Sequence, residues 1–209
     1  MSRRHALFLA SVTLALLPAT SAFGQRTSFA GPDVHPRLAG QAVVGRPVAP
    51  DLALRDQDEK LVQLSSQRGR LVLLAFLYTH CRDVCPLIAG NLNDALRQLG
   101  SARNSVRVLA VSVDPRNDTP QAVRRFIKTH RLLPQFRYLT GTRQWLEPVW
   151  QAYHLVINPT NPDTVAHSAF VLLIDQAGLE RAVYTSHVRA ADLVHDLRLL
   201  LNERTRAGN

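Results

Sequence analysis

The sequence predicts an α/β fold, a central mixed sheet flanked by helices, and three observations carry that prediction. Two largely apolar runs, residues 71–78 without interruption and 106–113 with only Arg107 and Ser112 polar, have the length and composition of buried strands. Helical patterns follow them. After the first run Leu87, Leu92, Ala95, Leu96 and Leu99 recur at helical spacing and stop at Gly100. The chain then closes with an apolar run at 169–174, a turn at Asp175-Gln176-Ala177-Gly178, a partner strand near 181–184, and a helix carrying Leu193, Leu197, Leu200 and Leu201. Strand-helix-strand-helix followed by a hairpin and a closing helix demands a sheet covered on both faces.

The remaining elements take their places in order. Residues 51–54 and 61–64 flank a polar turn at 56–60 and read as a β-hairpin added ahead of the sheet. Asp118-Thr119-Pro120 starts a helix reaching about residue 130, with Asp118 as the expected cap and proline in the first turn. Residues 136–139 form a short strand, and Gly141-Thr142 opens a helix to about 153. A proline- and asparagine-rich stretch at 158–163 reads as a loop that leads to His167 and the strand behind it. No internal repeat is visible. The only two cysteines stand at the end of the first long strand, and with them there the element order is that of a thioredoxin-like fold.

Composition narrows the function classes. The 209 residues are 46% hydrophobic and 20% charged, as in an ordinary globular protein, and carry a formal charge of +9. Arginine is scattered along the chain, in pairs at most, without a basic run or an aromatic-interleaved patch, which argues against nucleic acid. Arg3 and Arg4 precede an apolar run at 6–17, then Pro18 and small residues to Gly24. Residues 1–24 are therefore expected to be an export signal, cleaved after Ala22 or Gly24, because the run is shorter than the ~20 residues a membrane-spanning helix needs. The expected location is the periplasm or another exported compartment, with a membrane contact only if the N-terminal segment is retained. Residues 25–45 read as a flexible spacer, and 46–205 as the folded domain.

Cys81 and Cys85 are four apart, between the first long strand and the helix that follows it. The loop they would close is too small for a disulfide there to act as a staple, so the pair suits switching between dithiol, disulfide and metal-bound states. Two thiolates are a soft donor set that favours Cu(I), with Cu(II) the alternative, and are too few for a closed structural zinc site. Eight histidines compete for a third position. His5 falls in the signal and His35 in the spacer; His130, His187 and His195 fall near helix ends or on exposed faces; His154 ends its helix. His80 adjoins Cys81 but should point away from it along an extended segment. His167, just ahead of a central strand whose entry faces the dithiol in this layout, is the preferred ligand. Asp114 reads as a turn former and Asp118 as a cap, with contact to a metal or a partner as their alternative roles.

The segments Phe76-Leu77-Tyr78-Thr79-His80-Cys81-Arg82-Asp83-Val84-Cys85-Pro86, Val113-Asp114-Pro115-Arg116-Asn117-Asp118-Thr119-Pro120 and Leu139-Thr140-Gly141-Thr142, with His167 entering a strand that ends Ile174-Asp175, together resemble the Sco/SenC family over about residues 45–203. The resemblance implies copper held by Cys81, Cys85 and His167. It also implies delivery of that copper to the binuclear copper centre of cytochrome c oxidase, or reduction of that centre's cysteines. Implied partners are the copper-bearing oxidase subunit, or another copper-receiving protein, and a thiol reductant. The chain departs from the family pattern at Arg82, where proline is common, at Leu87, where a small polar residue is usual, and at Ala166, where an acid often stands. Thiol-disulfide exchange through Cys81 and Cys85 is the enzymatic alternative. Val84-Cys85-Pro86 is also superficially similar to peroxiredoxins, but the hydroxyl residue their chemistry places three before the reactive cysteine is Arg82 here.

Overall fold

The computed structural model describes residues 37–161 and 164–207; the expected signal and most of the expected spacer lie outside them. In chain order the strands are β1 (Gln41–Ala42), β2 (Ala53–Arg55), β3 (Leu61–Gln63), β4 (Leu71–Leu77), β5 (Val106–Ser112), β6 (Phe136–Leu139), β7 (Ile157–Asn161), β8 (Thr164–His167), β9 (Phe170–Ile174) and β10 (Glu180–Thr185). The α-helices are α1 (Val84–Gln98), α2 (Pro120–Thr129), α3 (Arg143–Ala152) and α4 (Ala190–Ala207).

β4 is apolar throughout because it has a strand on each side and a layer on each face. All seven of its residues are buried. It runs parallel to β5, from Leu71↔Val106 to Leu77↔Ser112, and antiparallel to β9, from Val72↔Ile174 to Ala75↔Val171. The full sheet has the order β1-β10-β9-β4-β5-β6. Parallel strands need crossover helices, which α1 and α2 supply. α1 and α4 pack on each other, and α3 sends Trp150 to the Ser112 carbonyl (3.0 Å) and is followed by Tyr153, whose ring meets Phe76. The expected mixed α/β, thioredoxin-like architecture is the one observed. The hairpin of β2 and β3 forms ahead of it, in the register Ala53↔Gln63.

Two expectations need correction. The expected spacer extends to residue 45, yet β1 within it is already an edge strand of the sheet, with Gln41↔Val183 and Ala42↔Ala182. Its anchor is Asp196, fully buried on α4, which accepts hydrogen bonds from the Ala39 and Gly40 N–H groups (2.7 and 3.0 Å) and the Tyr184 hydroxyl (2.6 Å). A two-residue ladder held by backbone and carboxylate leaves no hydrophobic period to read. Residues 158–161 of the expected loop at 158–163 belong to an antiparallel pair instead: β7 and β8 pair as Ile157↔His167, Asn158↔Ala166 and Asn161↔Thr164. Pro159 has no N–H to donate, and it lies where the register shifts between Asn158 and Asn161.

Candidate metal and thiol centre

The site is built where β4 ends and α1 begins. Residues 78–83 cross that gap, and they are held from beneath by one carboxylate. Asp118 is buried and accepts four hydrogen bonds: Thr79 N–H (2.8 Å) and hydroxyl (2.7 Å) on one oxygen, Ser112 hydroxyl (2.6 Å) and Tyr138 hydroxyl (3.1 Å) on the other. It thereby ties the cysteine segment to the ends of β5 and β6. Burial pushes its carboxyl above the usual range, while the Ser112 and Thr79 hydrogen bonds pull it back.

This corrects the expected cap. Thr119, not Asp118, caps α2, its hydroxyl accepting from Ala122 N–H at 3.2 Å with Pro120 at the first helical position. The signal was present, since a proline at that position makes the residue immediately before it the cap. Thr119→Ala is expected to cost about 1 kcal/mol, seen as a melting temperature lowered by roughly 2–4 °C.

Cys81 sits in the turn ahead of α1 and is half-buried, whereas Cys85 lies in the helix's first turn and is fully buried. Only Cys85 is helical, so the two sulfurs do not share a helical face; the turn brings them together. The Asp83 side chain leaves the helix N-terminus uncapped, and the Cys85 N–H donates to Cys81 Sγ instead, at 3.5 Å. Hydrogen bonding from the Cys85 thiol is the largest influence on Cys81. With the Cys85 and Asp83 N–H groups and the Tyr78 hydroxyl it outweighs burial and holds the Cys81 thiol down to about 5. The same sulfur contact, then burial and the nearby Cys81 and Asp118 charges, push Cys85 far up. The half-buried sulfur is thus the one that ionises readily, and the buried one keeps its proton.

The surrounding groups sort as follows. His80 stands edge-on to Tyr78 (4.9 Å between ring centroids) and reaches Asp114, Nε2 to Oδ2 at 3.4 Å, rather than the sulfurs. Asp114 forms its turn as expected, accepting from Asn117 Nδ2 at 2.8 Å. His130 packs on Phe126, His187 lies beside Ser186, and His195 bonds Asp196 at 2.7 Å. His154 follows α3 with φ 52°. Among the described residues no group of three histidine, cysteine or acidic side chains converges as a metal site. The His167 side chain lies outside the described residues. Its backbone is placed, at the end of β8. Because β9 runs antiparallel to β4, the chain enters β9 at the end of the sheet where β4 delivers the cysteines. Sequence reasoning missed the role of Asp118 and the Tyr78 hydroxyl, which both act across the fold.

The family model for SCO1/SenC matches residues 42–202 of this chain. The chain belongs to the SCO1/SenC family. Among relatives, this SCO1/SenC protein is 29% identical over 131 residues to the SCO2-like protein RP587 of Rickettsia prowazekii, covering 60% of this chain and 63% of that one. Among solved structures it superposes on ScoI of Bradyrhizobium japonicum with copper bound at 26% identity and TM-score 0.66, covering 74% of this chain and 99% of that one. The apo Sco1 protein of Thermus thermophilus gives 28% identity and TM-score 0.68, with 80% and 99% covered.

Proposed function

We propose that this SCO1/SenC protein is an exported copper chaperone. Its Cys81, Cys85 and His167 would bind copper as cargo, most favourably Cu(I), and pass it to the binuclear copper centre of cytochrome c oxidase or to another copper-receiving protein. The observation that carries the reading is the soft donor pair at the β4–α1 junction, in a family with a copper-bound member. The donor set fits the ion. One sulfur is held as thiolate and is only half-buried, ready to take up and release the ion by ligand exchange, while the other lies against it and loses its proton on binding. The approach of β8 to the cysteine end of the sheet supports His167 as third donor. The N-terminal run supports export.

The test is anaerobic Cu(I) titration of the reduced chain. About one copper per chain is expected for the parent, with binding lost in Cys81→Ser and Cys85→Ser and strongly weakened in His167→Ala. Parent-like affinity in His167→Ala would remove the imidazole from the ligand set. The contrast between the half-buried Cys81 and the fully buried Cys85 favours a second reading, reduction of the client's cysteines by thiol-disulfide exchange, with Cys81 attacking and Cys85 resolving.

A further inference from the structure

Beside Cys81 lies a cleft of about 1010 Å³, walled on one side by the 78–83 segment and on the other by α2. That volume matches the upper range of small-molecule sites and is roomy for a tripeptide-sized ligand. Ala122, Arg125, Phe126 and Thr129 occur at helical spacing and give α2 one face toward the cleft. Arg82 lies on the opposite wall, immediately after Cys81. Arg82 and Arg125, like Arg103 and Arg116 elsewhere on the surface, have no ion-pair partner among the described residues, so both guanidiniums are available to a ligand. Asp83 is the one acid in the lining. Two uncommitted guanidiniums thus face a cleft that contains the accessible sulfur.

We propose that this cleft binds a small anionic thiol or disulfide, Arg82 and Arg125 holding its carboxylates while its sulfur meets Cys81. Planar guanidiniums suit carboxylates because their N–H groups match the two oxygens. With a disulfide RSSR, the Cys81 sulfur attacks one sulfur, the S–S bond breaks, a Cys81–S–S–R bond forms and RS⁻ leaves. The Cys85 sulfur, giving up its proton as it attacks, then displaces the second R-sulfur from Cys81: the Cys81–S–S–R bond breaks, the Cys81–Cys85 bond closes, and the R-sulfur departs carrying the Cys85 proton. The protein dithiol is oxidised and the small disulfide reduced to two thiols; the reverse sequence reduces the protein. The inference rests on the accessibility of Cys81 and does not require copper binding.

The test compares glutathione disulfide, whose carboxylates make it anionic, with neutral 2-hydroxyethyl disulfide as oxidants of the reduced full chain at low ionic strength. Arg125→Glu and Arg82→Glu are each expected to slow glutathione disulfide about ten-fold relative to the neutral disulfide, and added salt should shrink the difference. Arg125→Lys, which keeps the charge, should retain most of the rate. Equal slowing of both oxidants, no slowing of either, or failure of the parent to react with both overturns the proposal. Copper per chain, measured on Arg125→Glu in parallel, reports on the chaperone reading separately.

Discussion

Iodoacetamide added to the reduced protein at about pH 7 is expected to modify Cys81 and spare Cys85, with rates at least ~100-fold apart. Thiolate, not thiol, is the nucleophile. The Cys81 thiol is held down to about 5 from an ordinary value of 9.0, so it is thiolate across the neutral range, and it is only half-buried. Cys85 is buried and pushed up, so it fails on both counts. The rate profile should therefore rise through about pH 5 and be flat by about pH 7, with peptide mass spectrometry placing the label. In Cys85→Ala the largest influence on Cys81 is gone, and the inflection should move up toward the ordinary thiol value.

The same asymmetry sets the pH dependence of stability. A thiol lowered by folding contributes stability that is present above the ordinary value of 9.0 and lost as pH falls through about 5. Cys85 is raised by folding, so its contribution is present below 9.0 and lost as pH rises through its folded value. The reduced chain should gain from Cys81 between these limits and lose from Cys85 above them. An inflection near the ordinary thiol value in the parent, or equal labelling of both cysteines, would show that the Cys81 thiolate is not stabilised.

Asp118→Ala is expected to lower the unfolding free energy by about 3 kcal/mol, because it strands four buried or half-buried donors. For a chain of this size that is a melting temperature lower by roughly 6–12 °C. Asp118→Asn should cost under about 1 kcal/mol. Its carbonyl oxygen can keep both Thr79 bonds, and the Ser112 and Tyr138 hydroxyls can rotate to accept from the amide. It also removes a negative charge that disfavours the Cys85 thiolate, so Cys85 should ionise more readily in Asp118→Asn. Circular-dichroism melts of the two variants separate hydrogen-bond geometry from charge. If Ala and Asn melted alike, the carboxylate's hydrogen bonds would not be what holds the cysteine segment.

Much of the fold was legible because its signals are local. The all-apolar run of β4 announced a strand with neighbours on both sides, and the leucine spacing of α1 and α4 announced amphipathic helices. β1 was not legible: Gln41 and Ala42 join the sheet through two backbone pairs and the Asp196 carboxylate, a residue more than 150 positions away. Residues 158–161, which fall in β7, read as a loop because Pro159 and the asparagines are turn formers, and only cross-strand pairing overrides that preference. At the site, the cysteine pair and the turn at Asp114 were readable from spacing and residue type. The difference between Asp118 and Thr119 lay in which of two adjacent side chains met an N–H and which met the sheet.

The linear chain by itself determined that two thiols stand where a buried strand gives way to a helix, since hydrophobic period and the order of elements do not depend on contacts far away. Tertiary structure alone decided which sulfur is covered and which is open, and which acid gathers the cysteine segment. It also decided that Arg125 of α2 would face the cleft beside Cys81. Those outcomes depend on burial and on groups converging from remote segments, and neither quantity exists until the sheet has assembled.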